Sequence, residues 1–230
     1  MSTTKLLDLQ TLSEDDVKAR WEAAYLQFET PEEETQKFLS RLKKLGVDQW
    51  DRDSDVVEIF CGRGNGLNAL RALGFTRLTG VDLSPELVAQ YQGPARMDVA
   101  DCREMPLEDQ SRDLVVVQGG LHHLTAIPED LDRVLSEVCR ILRPDGRFVM
   151  VEPWLTPFLR TVHLACNLKA LTALSPKLDS LAAMIHYEAP TYFRWLESKS
   201  SILEALTKRF DALYTHRGFG KINFVGRPKR

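Results

Sequence analysis

Apolar positions along the chain change period near residue 55. Upstream, Trp21, Tyr25 and Phe28 recur at helical spacing, as do Phe38, Leu39, Leu42 and Leu45 after Pro31. This predicts helices through residues 1–50, the second stopped by Gly46. The acidic run Glu32-Glu33-Glu34 falls in the first turn behind Pro31, where the helix dipole favours negative charge, and that position alone explains it. From Asp55 onward, short apolar runs alternate with amphipathic stretches. Val56 to Phe60, Leu78 to Asp82, Ala95 to Val99, Leu114 to Val117 and Arg147 to Glu152 read as strands. Between them a helix through Leu67, Leu70 and Leu73 ends at Gly74, and Ser84-Pro85-Glu86 opens another. A third runs from Leu131 to Leu142 into the Pro144-Asp145-Gly146 turn. Residues 153–200 break the alternation, and stripes such as Phe158, Leu159, Val162 and Leu181, Met184, Ile185 predict helices there. A helix from Ile202 to Phe210 follows. Two strands, Leu213 to His216 and Lys221 to Val225, come last, with Gly218 and Gly220 marking a hairpin between them.

Strands alternating with helices predict an α/β fold: a doubly wound, mainly parallel seven-stranded, Rossmann-like sheet, with N-terminal helices and a helical insertion after strand five. The chain divides into an N-terminal helical cap (1–50), a cofactor-binding core (51–152), a helical lid (153–200) and a C-terminal helix with a strand pair that completes the sheet (201–230). Ligands of such sheets bind outside the carboxyl ends of the strands.

Composition narrows the function. With 230 residues, 43% hydrophobic and 27% charged, the chain can bury a sizeable core, and its formal charge of −3 gives no global basic field for nucleic acid. Met1 to Asp8 lacks the long apolar run of a secretory leader, and no segment approaches the length of a membrane span. Cys61, Cys102, Cys139 and Cys166 are far apart, which fits reduced thiols and a cytoplasmic protein better than disulfides or a metal site.

The chemistry concentrates in Glu58-Ile59-Phe60-Cys61-Gly62-Arg63-Gly64-Asn65-Gly66, after a strand and before a helix. Glycines there let a ligand approach the backbone, and the helix start offers free N–H groups. Asp82, at the end of the next strand, is the acid expected to accept from ribose hydroxyls. A pyrophosphate binder usually shows GxGxxG, whereas Gly62, Gly64 and Gly66 alternate as GxGxG behind Glu58. That carboxylate would repel a pyrophosphate and suits the cationic amine of S-adenosylmethionine.

Asp55 to Glu152 resembles the core of class I S-adenosylmethionine-dependent methyltransferases, especially small-molecule enzymes related to ubiquinone and menaquinone biosynthesis. Glu58 to Gly64 resembles motif I, and Gly80-Val81-Asp82-Leu83-Ser84 the ribose-binding motif. Asp101 to Asp109 resembles the adenine-binding segment, Gln118 to Leu124 the fourth-strand motif, and Leu142 to Arg147 the turn before strand five. The resemblance covers about 100 of the 230 residues. It implies that Asp82 and Leu83 border the ribose, that Asp101 accepts from the adenine N6 with Cys102 beside it, and that the glycines flank the methionine. Gln118 would hold the ammonium. One departure is Phe60, where the family commonly has glycine.

His122, His123 and Glu152, at the ends of the fourth and fifth strands, are the candidate bases, with O-methylation of a small-molecule acceptor the favoured chemistry. Asp113, before the fourth strand, reads as structural. Phe60-Cys61-Gly62 also resembles the first motif of DNA cytosine methyltransferases, but Gln118-Gly119-Gly120 stands where those need Pro-Cys, and no nucleic-acid substrate is expected. No metal and no membrane span are expected, and a homodimer is compatible with the sequence. The alternatives are a protein that binds S-adenosylmethionine without transferring methyl, and an NAD(P)-dependent oxidoreductase.

Overall fold

The computed structural model describes residues 14–229; the part of the N-terminal reading that concerns residues 1–13 lies outside them. Two helices open the structure, α1 (Glu14–Phe28) and α2 (Pro31–Lys44), followed by a 3-10 turn at Val47–Gln49. Thr30 caps α2 through a capping box with Glu33, and Pro31 occupies the first turn. The alternating region is β1 (Asp55–Ile59), α3 (Asn65–Ala72), β2 (Arg77–Asp82), α4 (Pro85–Val88), β3 (Arg96–Val99), β4 (Arg112–Gln118), α5 (Glu129–Ile141) and β5 (Leu142–Pro153). Four helices intervene: α6 (Pro157–Asn167), α7 (Lys169–Leu174), α8 (Pro176–Tyr187) and α9 (Ala189–Glu197). Then come α10 (Lys199–Arg209) and the hairpin of β6 (Phe210–Gly218) and β7 (Lys221–Pro228).

The seven strands form one sheet in the order β3-β2-β1-β4-β5-β7-β6. β1 to β5 pair in parallel, while β7 runs antiparallel to both β5 and β6, so the sheet is mixed. The antiparallel pair follows from the short Phe219-Gly220 connection, which can join only a hairpin. Strand alternation sorts the core onto two faces. Val57, Ile59, Val115, Val117, Phe148 and Met150 pack under α5 and α10. Val56, Leu114, Val116 and Val149 pack under α2 and α3 through Phe38, Leu42, Leu67 and Leu70. The chain moves outward from β1 through β2 to β3, then returns to place β4 on the other side of β1. The switch point between β1 and β4 is where such a sheet opens a crevice.

The helix expected to run to Leu142 ends at Ile141, where Leu142 begins pairing opposite Arg112. Residues 143–146 then bulge before Arg147 pairs with Leu114. Asp113 sits at the far end of the sheet from the crevice, accepting from the Asp55 N–H (2.8 Å) and from Arg143, a structural role. All four cysteines are free thiols. Among the described residues, no helix is long and apolar enough to cross a membrane.

Candidate functional site

At the carboxyl ends of β1, β2 and β4 the chain encloses a cavity of about 1290 Å³. One wall comes from the strand ends and their loops, the other from α1, α2, α6, α8 and α9. Gly62 (φ 53°) and Gly64 (φ 83°) adopt left-handed backbone in the turn after β1, which glycine tolerates without cost. Phe60 (φ 54°) does the same despite its side chain, so the departure from glycine there is accommodated in a strained conformation. Gly62 lines the cavity, whereas Gly64 and Gly66 stand behind it.

Asp82 faces the cavity at the end of β2. Its Oδ2 accepts from the Gly62 N–H (2.8 Å) and its Oδ1 from the Ser84 N–H (2.9 Å). The carboxylate is thus fixed in orientation, with lone pairs left for hydroxyl donors. Leu83 beside it is 66% exposed and offers an apolar ledge. Asp101 lines the same end, but Arg103 engages both its oxygens and also bridges to Asp130, which holds the Asp101 carboxyl below its ordinary range. Cys102 is buried, and burial pushes its thiol up to about 12, making it an apolar wall rather than a nucleophile.

Buried polar atoms at the ends of β1 and β4 lack partners. Both polar atoms of the Gln118 side chain and the Oε2 of Glu58 are buried without a hydrogen bond among the described residues. Burial, reinforced by the charge of Glu34, raises the Glu58 pKa well above the ordinary value, against a backbone donor from Leu67. Unsatisfied buried groups are costly. A cationic group able to donate hydrogen bonds satisfies a carboxyl and an amide oxygen together, so these residues fit the ammonium of an amino-acid ligand.

At the ends of β4 and β5 the three candidate bases form one unit with separate tasks. Glu152 is 0% exposed. Its Oε1 accepts from the Gly120 (2.8 Å) and Leu121 (2.9 Å) N–H groups, and its Oε2 pairs with His122 Nδ1 at 2.9 Å. It is absent from the cavity lining and its oxygens are committed to this loop and to His122, whereas the sequence set it beside His122 and His123 as a candidate base. His122 also has Glu188 Oε2 3.7 Å from its Nε2. Burial opposes its charge, but the hydrogen bond to Glu152 and the nearby Glu188 carboxylate outweigh burial and push its pKa up to about 9. His123 stacks on it with ring centroids 4.2 Å apart. Its ring is open to the cavity yet enclosed by the cavity's walls. That enclosure, then the charge of His122, push its pKa down to about 4. The two stacked imidazoles are therefore pushed in opposite directions, His122 toward its charged form and His123 toward its neutral form.

Sequence reasoning missed Glu188, Glu34, Arg41 and Lys221, all of which line the cavity. Glu34, which the acidic run had seemed to explain by helix position, accepts from Asn65 Nδ2 (2.9 Å) and from Tyr25. No local pattern marks the other three.

A methyltransferase-domain family model matches residues 57–150. Among curated relatives, the ubiquinone/menaquinone biosynthesis C-methyltransferase UbiE of Geotalea daltonii is 28% identical over 149 residues, covering 55% of this chain and 62% of the relative. UbiE of Rubrivivax gelatinosus is 37% identical over 112 residues, 45% of this chain and 43% of the relative. The sterol 4-C-methyltransferase strm-1 of Caenorhabditis elegans is 31% identical over 139 residues, 54% of this chain and 40% of the relative. The chain thus spans between 40% and 62% of the length of these relatives. Among solved structures, the PH0226 protein of Pyrococcus horikoshii superposes with a TM-score of 0.62 at 19% identity, covering 84% of this chain and 91% of the other. An S-adenosylmethionine-dependent methyltransferase of Mesorhizobium loti gives 0.55 at 16% identity, covering 81% and 97%. At such identities the likeness concerns the fold.

Proposed function

We propose that this chain, whose residues 57–150 match a methyltransferase domain of the class I kind, is an S-adenosylmethionine-dependent methyltransferase acting on a carbon atom of a small-molecule acceptor. The observation that carries the reading is the set of unpartnered buried polar atoms, Glu58 Oε2 and both polar atoms of the Gln118 side chain, at the crevice between β1 and β4 and inside the matched segment. These two residues would hold the ammonium, Asp82 the ribose hydroxyls and Leu83 the base, with Asp101 and Cys102 at the adenine end. Bound there, the cofactor supplies a methyl group on a sulfonium that needs no further activation.

The chain's own residues then have to align an acceptor and manage one proton. The relatives' names speak of carbon methylation, in ubiquinone and menaquinone biosynthesis and of sterols, and this favours carbon over the oxygen expected from the sequence. His123 faces the cavity as a neutral imidazole. With its pKa pushed down by enclosure and by His122, it is a neutral acceptor for the proton of a hydroxyl or enol, whose loss makes the conjugated carbon nucleophilic. Glu152 and the charged His122 hold the loop that presents it. Helices α6, α8 and α9, with α1, roof the space where the acceptor would lie and exclude water. Residues 153–200 serve as a lid over it.

Calorimetry with S-adenosylhomocysteine and with NADH tests the cofactor. Binding of the first and not the second is expected, and the reverse would transfer the chain to the oxidoreductases. NMR of the product made with 13C-methyl-labelled cofactor from a demethylated quinol tests the atom, since a methoxy signal would overturn the carbon reading.

A further inference from the structure

Two cations line the cavity away from the proposed cofactor residues. Arg41 reaches in from α2 and Lys221 from the first residue of β7. Neither makes a hydrogen bond or ion pair among the described residues; the Arg41 guanidinium has only the Phe38 ring, at 5.4 Å from its centroid. The acids that could neutralise them are engaged elsewhere. Glu29 pairs with Lys37, Glu34 receives Tyr25, Asn65 and Lys37, and Glu152 is committed to Gly120, Leu121 and His122. A positive pole therefore remains on the wall of a half-open cavity.

Its place in the sheet separates it from the cofactor. Lys221 pairs with Pro153 on β5, and β7 is the second strand from β4, which carries Gln118, and the third from β1, about 10 and 14 Å away at ordinary strand spacing. Leu159 packs against Gly220 beside Lys221, and Phe158, Val162, Met184, Ile185 and Phe219 add apolar surface to the same cavity. The geometry points to an acceptor subsite in which Arg41 and Lys221 together hold an anionic oxygen group, a carboxylate, at one end of a largely apolar acceptor. This rests on the methyltransferase reading and names the class of its substrate. Arginine and lysine are the side chains that meet such a group with charge-assisted bonds.

The state of Lys221 agrees with this. Burial, then the charges of Arg41 and Lys37, against Glu152 and Glu29, push its pKa down to about 7. A bound anion supplies the missing counter-charge, so binding near pH 8 takes up a proton.

The test uses the full chain saturated with S-adenosylhomocysteine, and the probe pair 4-octylbenzoate and 4-octylbenzamide, which share size and shape and differ in the charge and donor–acceptor character of the head group. Calorimetry should show the benzoate binding at least tenfold tighter than the amide. Arg41→Met and Lys221→Met should erase that preference, and Lys221→Arg should keep it, while S-adenosylhomocysteine affinity is unchanged in all three. Equal affinity for the two probes, or binding of neither, overturns the subsite. Weakened S-adenosylhomocysteine binding in the methionine variants would assign the cations to the cofactor's own carboxylate and likewise overturn it. Failure of the wild-type chain to bind S-adenosylhomocysteine at all is a different result, and sinks the methyltransferase reading instead.

Discussion

Glu58 fills the space that a side chain at Gly66 would need: an ideal Cβ on Gly66 would lie 1.7 Å from Glu58 Oε1. The last glycine of the turn after β1 is therefore set by packing against an acid that is itself fully buried and short of partners. We expect Gly66→Ala to destabilise the fold by about 1–3 kcal/mol, the usual cost of overpacking, in urea unfolding. Glu58→Ala should absorb part of that cost in the double variant, because the two residues are in contact. Additive effects would remove the steric explanation.

Asp82→Ala should weaken S-adenosylmethionine and S-adenosylhomocysteine by about 1.5–3 kcal/mol, the scale of hydrogen bonds to a charged group. It also frees the Gly62 N–H from its 2.8 Å acceptor, so the loop after β1 should exchange its amides faster. Unaltered affinity for both ligands would dismiss Asp82 from the site.

His122 should titrate near 9 by NMR, and Glu152→Gln should move that value down toward the ordinary 6.5. The sign for stability follows. The folded pKa lies above the unfolded one, so the contribution is fully present below about 6.5 and is lost as pH rises through about 9. Wild type should therefore lose stability across that window and Glu152→Gln much less. A flat profile for wild type would show that the charge is not held.

The His123→Ala variant should lower turnover tenfold or more with S-adenosylhomocysteine affinity nearly intact, as befits loss of general-base help, typically worth ~10²–10⁴-fold. Glu152→Ala should act at a distance, altering turnover through the loop it anchors. If both variants keep full rate, alignment alone carries the reaction.

The strands, the turn after β1 and the acid at Asp82 were legible because each is a local pattern whose spacing fixes the geometry. Short continuous apolar runs mark strands buried on both faces, and a strand-end acid needs no distant partner to be recognised. Glu152 was legible as a strand-end acid but not in its task, because the N–H groups of Gly120 and Leu121 that claim it belong to another loop. Arg41, Glu188 and Lys221 were invisible for the same reason carried further. Each becomes a cavity residue only when α2, α9 and the hairpin dock across the sheet, and nothing within a few positions of them records that docking. The acidic run shows the opposite failure, since the helix start accounts for Glu33 in the capping box but not for Glu34, which turns inward to Asn65.

Hydrogen exchange should reveal new protection within residues 153–200 when S-adenosylhomocysteine and acceptor are added together, as a lid requires. Protection that tracks protein concentration instead would identify a dimer interface and end the lid proposal.

The bond from Trp21 to Glu188 joins residues 167 positions apart, and Lys221, near the other end of the chain, shares the same cavity. A nascent chain that has emerged only as far as β5 thus already carries every residue assigned to the cofactor, yet has no roof and no room for an acceptor. Cofactor affinity and acceptor affinity should accordingly be separable in time during synthesis, the first arriving with the middle of the polypeptide and the second only when its two ends have met.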